Sequence, residues 1–208
     1  LADELRFAEG DGLEVVGATG LDVPADDDNL VRRALRLAGR TAHVTLTKRI
    51  PAGAGLGGGS SDAAAVLRWA GFDDDERAAA LGADVAFCVR GGRARVTGIG
   101  EVLEPLPHID RTFTLVTPPF GCSTPAVYRA WDDLGGPRAE GPNDLEPAAL
   151  AVAPELATWR DGLASATGRV PVLAGSGSTW FVEGAFPDAG RVVRTLPAAV
   201  LEPPGSAL

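Results

Sequence analysis

The sequence predicts an α+β fold, on the basis of two observations. Helix-like and strand-like segments alternate through both halves of the 208 residues. The turns between them are mostly too short for the crossovers that a doubly wound parallel sheet needs. Hydrophobic residues make up 45% of the chain and charged residues 23%, which is typical of a globular protein with a sizeable core.

Each element is predicted from its local pattern. Short β-rich and mostly alternating segments predict strands at 4–9, 13–17, 43–47, 93–97, 101–106, 112–117, 172–174 and 179–182, with an edge strand at 198–202. Apolar residues at helical spacing predict helices at 29–38, 63–70, 73–80, 124–131, 145–151, 154–167 and 187–196. Gly10-Asp11-Gly12 predicts a hairpin turn between the first two strands. Asp28 is expected to cap the first helix, and Ser60, Ser61 and Asp62 the second.

The chain divides into two predicted domains. The pattern of elements loosens around residues 107–110, so we place the boundary there, with one domain at 1–108 and the other at 109–208. The sequence begins at Leu1, contains no methionine, and opens with residues typical of the middle of a domain. We therefore expect a further segment to precede Leu1 in the whole protein.

The composition of the chain argues against several classes of protein function. The formal net charge of −9 argues against non-specific nucleic-acid binding, which needs a basic surface. No apolar stretch approaches the roughly 18 to 20 residues of a membrane span. The two cysteines, Cys88 and Cys122, indicate neither a disulfide framework nor a zinc site. The expected compartment is the cytoplasm, with no nucleic-acid or membrane partner.

The most informative stretch is the glycine-rich loop at residues 51–62. Five of the seven residues from 53 to 59 are glycine, and an apolar helix-compatible run follows. Glycine lets backbone N–H groups approach a ligand, and a helix N-terminus favours an anion such as phosphate. The P-loop motif is excluded because no lysine follows the last glycine. A Rossmann fingerprint is disfavoured because the acidic residue expected about 20 positions later falls in a predicted helix.

Two further segments carry candidate functional residues. Asp84 lies within the otherwise apolar segment 81–89, where a carboxylate is either a helix cap or a functional acid, and the residues alone leave both interpretations open. The segment 175–178, Gly-Ser-Gly-Ser, is either a hairpin turn or a second loop on the phosphate side, because its small residues permit close approach.

Taken together, these segments resemble the GHMP family of small-molecule kinases. Residues 51–65 are similar to the family's second motif, and 175–178 to its third, C-terminal glycine loop. Three shorter matches favour one subgroup of the family: 82–85 (Gly-Ala-Asp-Val), 98–101 (Gly-Ile-Gly-Glu) and 143–146 (Asn-Asp-Leu-Glu). The resemblance implies a two-lobed α+β fold. Its N-terminal lobe would be like domain 2 of ribosomal protein S5, here incomplete at its start, and its C-terminal lobe would be ferredoxin-like.

The resemblance also implies roles on the donor side of a kinase site. ATP would be the phosphoryl donor, bound together with Mg²⁺. Asp84 would accept the proton of the acceptor hydroxyl. Ser60 or Ser61 could contact Mg²⁺. The ATP phosphates would lie against Pro51, Gly53, Ala54, Gly55, Leu56, Gly57, Gly58, Gly59, Ser60 and Ser61.

On the acceptor side, the resemblance implies CDP-methylerythritol as the small-molecule substrate. It would be bound by Thr124, Tyr128, Gly175, Ser176 and Gly177, with the Tyr128 ring stacked on the cytosine. A tyrosine that merely packs in the core or on the surface is the alternative interpretation. The expected assembly is a monomer or a weak homodimer.

The sequence also departs from the family pattern. The family's N-terminal strand carries a lysine in a Lys-Ile-Asn-Leu-like motif with a Gly-Tyr-His nearby, and neither motif occurs here. Lys48, the only lysine, does not match that motif, and Ala86 stands where the family usually has proline. Two alternatives stay open. One is another GHMP kinase that acts on a sugar or homoserine, and the other is a non-catalytic nucleotide-binding relative if the chain is complete.

Overall fold

The computed structural model describes residues 1–17 and 22–198 and contains three sheets and seven helices there. The strands are β1 (Glu4–Ala8), β2 (Gly12–Val16), β3 (His43–Thr47), β4 (Arg93–Thr97), β5 (Val102–Leu106), β6 (Thr112–Val116), β7 (Val172–Leu173), β8 (Trp180–Glu183) and β9 (Arg191–Arg194). The helices are α1 (Leu30–Leu37), α2 (Gly58–Trp69), α3 (Asp75–Ala79), α4 (Val85–Arg90), α5 (Thr124–Asp133), α6 (Glu146–Val152) and α7 (Leu156–Thr167). Within this part of the chain, β2 and β3 form the one parallel pair, so the α+β prediction is confirmed.

The predicted hairpin between the first two strands is wrong. The sheet order is β1-β3-β2, with β1 antiparallel and β2 parallel to β3. Ala8 and Gly12 both pair with His43, so the intervening residues pass over the end of β3. A Cβ at Gly12 would lie 2.8 Å from His43 Nδ1, so glycine is what permits the crossing. Val44 and Leu46 are almost completely buried, which explains why β3 takes the central position.

The first hydrophobic cluster lies between this sheet and the helices that follow it. Val44 and Leu46 pack with Val66 and Leu67 of α2 and with Val85 of α4, all of them buried. Asn29, rather than the predicted Asp28, caps α1, because its side chain accepts a hydrogen bond of 2.8 Å from the amide of Val31. The antiparallel pair β4–β5 extends from this half of the chain as a two-stranded ribbon.

The second hydrophobic cluster lies under an antiparallel sheet of order β7-β8-β6-β9. Trp180 and Val182 of β8 pack there with Val127, Leu156 and Leu163 from the helices. Separate clusters in the two halves support the proposed division into domains at 1–108 and 109–208, which stays a prediction.

The predicted helix at 187–196 is wrong, because residues 191–194 form β9 and pair with β6. Gly190 lies against that strand, where a Cβ would be 2.4 Å from the Leu115 carbonyl oxygen. Pairing with a strand 75 or more residues earlier therefore overrides the local helical pattern. The predicted edge strand at 198–202 lies outside the described residues, apart from Ala198, which belongs to no strand.

Candidate active site

Helix α2 begins at Gly58, five residues before the predicted start at Ala63. Gly57 occupies the cap position with φ of +67°, and Ser61 N–H donates to the Gly57 carbonyl over 2.9 Å. The predicted caps Ser60, Ser61 and Asp62 therefore lie inside the helix, because glycine closes the turn without a side chain. The amides of residues 57–60 donate to no acceptor within 1–17 and 22–198, so they are available to an anion.

The glycine loop is joined to the C-terminal half by backbone hydrogen bonds. The Gly53 carbonyl accepts from Cys122 N–H at 2.9 Å and from Ser178 N–H at 3.0 Å, and the Ala54 carbonyl accepts from Thr179 N–H at 3.1 Å. Gly55 has φ of +73°, and a Cβ there would lie 2.0 Å from the Ala174 carbonyl oxygen. The two predicted glycine-rich loops are therefore in direct contact.

A cleft of about 550 Å³ opens beside this contact, and we call it the glycine cleft. It brings together most of the residues predicted from the sequence. Its lining includes Pro51, Gly53, Ala54, Gly55, Leu56, Gly57, Gly58, Gly59, Ser60, Asp84, Thr124, Tyr128, Gly175 and Ser176. Ser61 and Gly177 do not line it. The Ser61 hydroxyl donates to the Gly58 carbonyl at 2.8 Å, and a Cβ at Gly177 would face Cys122 Sγ at 3.3 Å.

Asp84 stands at the start of α4 on the wall of the cleft. Its carboxylate makes no capping bond to the helix, and it takes part in no hydrogen bond or ion pair among the described residues. Val85 and Ala86, which follow it, are fully buried in the first hydrophobic cluster. The helix is thus anchored by apolar side chains, and the residue at its start, Asp84, is exposed.

The opposite wall carries the polar residues of the C-terminal half. Thr124 Oγ1 and Ser176 Oγ share a hydrogen bond of 2.9 Å, which links α5 to the second glycine-rich loop. Tyr128, one turn further along α5, exposes 53% of its surface. An exposed aromatic ring on the wall of a cleft offers a flat face to a planar ligand.

Asn143 belongs to the motif match at 143–146, and the structure shows which groups its side chain binds. Its Nδ2 donates to the carbonyls of Leu173 at 2.9 Å and Gly175 at 2.7 Å, and its Oδ1 accepts from Leu145 N–H at 3.0 Å. Both N–H donors of the amide are directed at the backbone around the second glycine-rich loop, and its oxygen binds the backbone at the start of α6. Asn143 therefore fixes the loop that faces Gly55.

Similarity to known proteins identifies the family. Residues 29–92 match the family model described as the GHMP kinases N terminal domain. The 4-diphosphocytidyl-2-C-methyl-D-erythritol kinase of Paracoccus denitrificans (strain Pd 1222) is 39% identical, over 87% of this chain and 73% of that protein. The chain belongs to the GHMP kinase family. The expected two-lobed kinase fold and the assignment as an enzyme, a phosphotransferase, are thereby confirmed.

Solved structures agree with this placement. A crystal structure of 4-(cytidine 5'-diphospho)-2C-methyl-D-erythritol kinase is 31% identical, with a TM-score of 0.67 over 95% of this chain and 86% of that one. Homoserine kinase from Cytophaga hutchinsonii ATCC 33406 has a TM-score of 0.61, over 93% of this chain and 85% of that one. It is only 17% identical, so it shows the shared fold alone.

The kinase also contains a buried charge cluster that the sequence interpretation missed. Lys48 Nζ pairs with Asp62 Oδ2 at 2.8 Å and with Asp3, and the three side chains are almost completely buried. Asp3 also accepts from the amides of Arg49 at 2.6 Å and Ile50 at 2.8 Å. The cluster lies directly beneath the glycine loop, since a Cβ at Gly58 would be 3.2 Å from Lys48 Nζ. The sequence offered one indication of this cluster, which is that its only lysine, Lys48, lies beside the glycine loop.

The two carboxyls of this cluster differ because only one of them is bonded to backbone amides. Burial raises the pKa of Asp62 from 3.8 to about 6, and its bond to Lys48 offsets only part of that rise. Burial also opposes ionisation of Asp3. Its bonds from Lys48, Arg49 and Ile50 outweigh this effect and lower the pKa of Asp3 below 3.8.

The residues of the glycine cleft fit a nucleoside triphosphate better than a metal held by protein alone. Free amides at the start of a helix suit phosphate oxygens. No group of three or more His, Cys, Asp or Glu side chains within residues 1–17 and 22–198 could hold a metal ion. A Mg²⁺ ion in this cleft would need ligands from the nucleotide and water, which is how Mg²⁺ is usually held beside phosphates.

Among residues 1–17 and 22–198, none of the helices has the length and apolar character needed to cross a bilayer.

Proposed function

We propose that this kinase transfers the γ-phosphoryl group of ATP to the 2-hydroxyl of CDP-methylerythritol, a step in the non-mevalonate supply of isoprenoid precursors. One observation carries the proposal. Three groups line a single cleft: the amides of the glycine loop, the carboxylate of Asp84 and the exposed ring of Tyr128. Within residues 1–17 and 22–198, the amides of residues 57–60 and the carboxylate have no hydrogen-bond partner. The 39% identity to a kinase of that name supports this acceptor over a sugar or homoserine.

The amides of residues 57–60 would bind the ATP phosphates. Phosphoryl transfer depends mainly on positioning and on stabilising charge spread over the phosphoryl oxygens. Four free N–H groups in the first turn of α2 supply such stabilisation without any side-chain movement. Mg²⁺, when bound, would neutralise part of the phosphate charge. Ser60 is the better protein ligand for it, because the Ser61 hydroxyl is already committed to the Gly58 carbonyl.

Asp84 would accept the proton of the attacking hydroxyl. Among the described residues its carboxylate has no hydrogen-bond partner, so its oxygens are available there, which a general base requires. The acceptor itself would lie along the wall formed by Thr124, Tyr128, Gly175 and Ser176. There the tyrosine ring would stack on the cytosine while the polyol reaches Asp84. Gly177 would not contact the acceptor directly, and its role would be to let the loop pack against Cys122.

Compartment and assembly are part of the same proposal. Both proposed substrates are charged and water-soluble, which supports action in the cytoplasm, without a nucleic-acid or membrane partner. The cleft contains both walls within one chain, so a monomer or a weak homodimer suffices for activity.

The test is turnover by the protein expressed from its complete reading frame. ATP consumption is measured with CDP-methylerythritol, homoserine and a hexose as separate acceptors. We expect turnover with the first acceptor alone, and its loss in Asp84→Asn while MgATP still binds. Asp161→Asn, which changes an exposed carboxylate on α7, is the matched control and keeps full turnover. ATP binding without turnover on any acceptor would favour a non-catalytic relative, and turnover on homoserine or the hexose would replace the acceptor assignment.

A further inference from the structure

We propose that Gly100 is a positioning residue that fixes the orientation of the Asp84 carboxylate. This inference rests on the proposed role of Asp84 as the proton acceptor. Gly100 lies in the turn between β4 and β5, is buried, and has φ of +116°. A Cβ at this position would lie 2.0 Å from the Ala83 carbonyl oxygen and 2.8 Å from the Ala83 Cα. The β4–β5 turn is therefore packed directly on the backbone that precedes Asp84.

This contact matters because the Asp84 side chain stands at the exposed start of α4. Its carboxylate has no hydrogen bond or ion pair within residues 1–17 and 22–198, so its direction depends on its backbone. On one side, that backbone is fixed by buried Val85 and Ala86. On the other side it is fixed by Ala83, whose peptide rests on Gly100. We therefore expect a displacement of Ala83 to move the Asp84 carboxylate, while buried Val85 and Ala86 hold α4 in place.

The neighbouring Gly98 provides a control within the same turn. Gly98 also has a positive φ, +71°, so a side chain is strained there as well. Its Cβ, however, would meet the Glu101 carboxylate at 2.3 to 2.6 Å, not the backbone. The Glu101 side chain, which accepts from Ile99 N–H at 2.7 Å, can rotate away. Both substitutions place an alanine at a positive φ, although φ of +116° at Gly100 lies further from the left-handed region than φ of +71° at Gly98. Only the side chain at position 100 would also meet the backbone of Ala83.

The first experiment compares Gly100→Ala with Gly98→Ala in the protein from the complete reading frame. We measure kcat, the KM for ATP, the KM for CDP-methylerythritol, and the thermal unfolding midpoint. A catalytic group misplaced by about 1 Å costs on the order of 10²-fold in rate. We expect a kcat loss of that order for Gly100→Ala, with the KM for ATP unchanged, and a kcat near wild type for Gly98→Ala. Equal kcat values in the two variants would overturn the inference, and so would a loss in Gly100→Ala that appears equally in the KM for ATP.

A second variant decides the matter if Gly100→Ala does not fold. Ala83→Gly introduces no clash at an exposed position, but it loosens the backbone before Asp84. Ala80→Gly is its control, three residues earlier and also exposed. We expect a several-fold lower kcat in Ala83→Gly alone, with unchanged ATP binding. Equal kcat in both would refute the positioning role.

Asp84→Asn is measured in parallel to separate this inference from the proposed function. Full turnover in Asp84→Asn would remove the assignment of Asp84 as the base. Loss of turnover in Asp84→Asn together with a wild-type kcat in Gly100→Ala would remove only this inference.

Discussion

Gly55 and Ala174 lie in opposite halves of the chain and are packed backbone to backbone, so that a Cβ at Gly55 would be 2.0 Å from the Ala174 carbonyl oxygen. The same junction contains the two backbone hydrogen bonds accepted by Gly53. The loop proposed to hold the phosphoryl donor and the loop proposed to face the acceptor are therefore joined through backbone atoms. We call this junction of the two loops the seam. If the two loops bind the donor and the acceptor as proposed, backbone contact between them would set the separation of the two substrates.

The first prediction concerns this seam. Gly55→Ala should lower the free energy of unfolding by more than the roughly 1 to 2 kcal/mol that a left-handed alanine costs, because the loops must also separate. Gly168→Ala is the control, since Gly168 has φ of +66° and a Cβ there would meet no described atom within 4 Å. Urea unfolding of both variants measures the difference. Equal destabilisation would show that the Ala174 contact relaxes at no cost.

The second prediction concerns Asn143, which holds the loop on the far side of the seam. Asn143→Asp places a carboxylate against the carbonyl oxygens of Leu173 and Gly175, where the wild-type amide donates. Leaving these acceptors unpaired should cost about 1 to 3 kcal/mol. The KM for the acceptor should rise more than the KM for ATP. Asp144→Asn, at the adjacent exposed position, keeps its acceptor oxygen for Ala139 N–H and should behave as wild type. An equal rise of both KM values would contradict a local role.

The third prediction is a pH dependence of stability due to Asp62. Its folded pKa of about 6 lies above the ordinary 3.8, so between these values the native state binds a proton that the unfolded state does not. The free energy of unfolding therefore falls as pH rises from about 4 to about 6, and this contribution levels off above that. The fall amounts to at most about 3 kcal/mol, at 1.36 kcal/mol for each pKa unit.

Asp62→Asn isolates this contribution, because it removes the titrating group and leaves the Lys48–Asp3 pair in place. Urea unfolding at pH 4, 5, 6 and 7 should show that the difference between wild type and variant changes through the same window. The pKa of Asp3 is shifted in the opposite direction, so its contribution is lost only as the pH falls below about 4. A difference that stays constant from pH 4 to 7 would contradict the raised pKa of Asp62.

The sequence predicted the parts of this molecule that depend on local pattern. The strand at residues 43–47, the helix at 156–167 within a slightly longer prediction, and the glycine loop before α2 each follow from neighbouring residues. The hairpin prediction failed because pairing with His43, some 30 residues later, is favoured over pairing between the two nearest strands. Strand partners are a property of the whole sheet, and adjacency in sequence does not fix them.

The candidate site, like the fold, was predictable where it depends on local sequence and not where it depends on contacts between distant residues. Asp84 and the two glycine-rich loops have distinctive local sequences, and the cleft brings them together. The Lys48 cluster was not predicted, because Asp3 and Lys48 are 45 positions apart and only the fold makes them neighbours. The contact of Gly100 with Ala83 was missed for the same reason, since a glycine in a turn has many explanations until its neighbour across the fold is known.

The fourth prediction concerns Tyr128, whose ring is proposed to stack on the cytosine of the acceptor. Stacking of a base on an aromatic side chain contributes about 1 to 3 kcal/mol, so Tyr128→Ala should raise the KM for CDP-methylerythritol by roughly 5- to 150-fold. The KM for ATP should not change, because ATP would bind at the glycine loop. Tyr128→Phe keeps the ring and should stay close to wild type. Initial rates at varied concentrations of each substrate provide the measurement.

The two tyrosine variants also distinguish stacking from other roles of the side chain. With 53% of its surface exposed, Tyr128 contributes little to the core, so neither variant should lower the thermal unfolding midpoint appreciably. If Tyr128→Phe raises the KM as much as Tyr128→Ala, the hydroxyl rather than the ring makes the contact. If both variants keep the wild-type KM, the ring is an ordinary surface side chain and the cytosine binds elsewhere on the wall. The ring on α5 is assigned to the cytosine only if the alanine variant alone loses acceptor affinity.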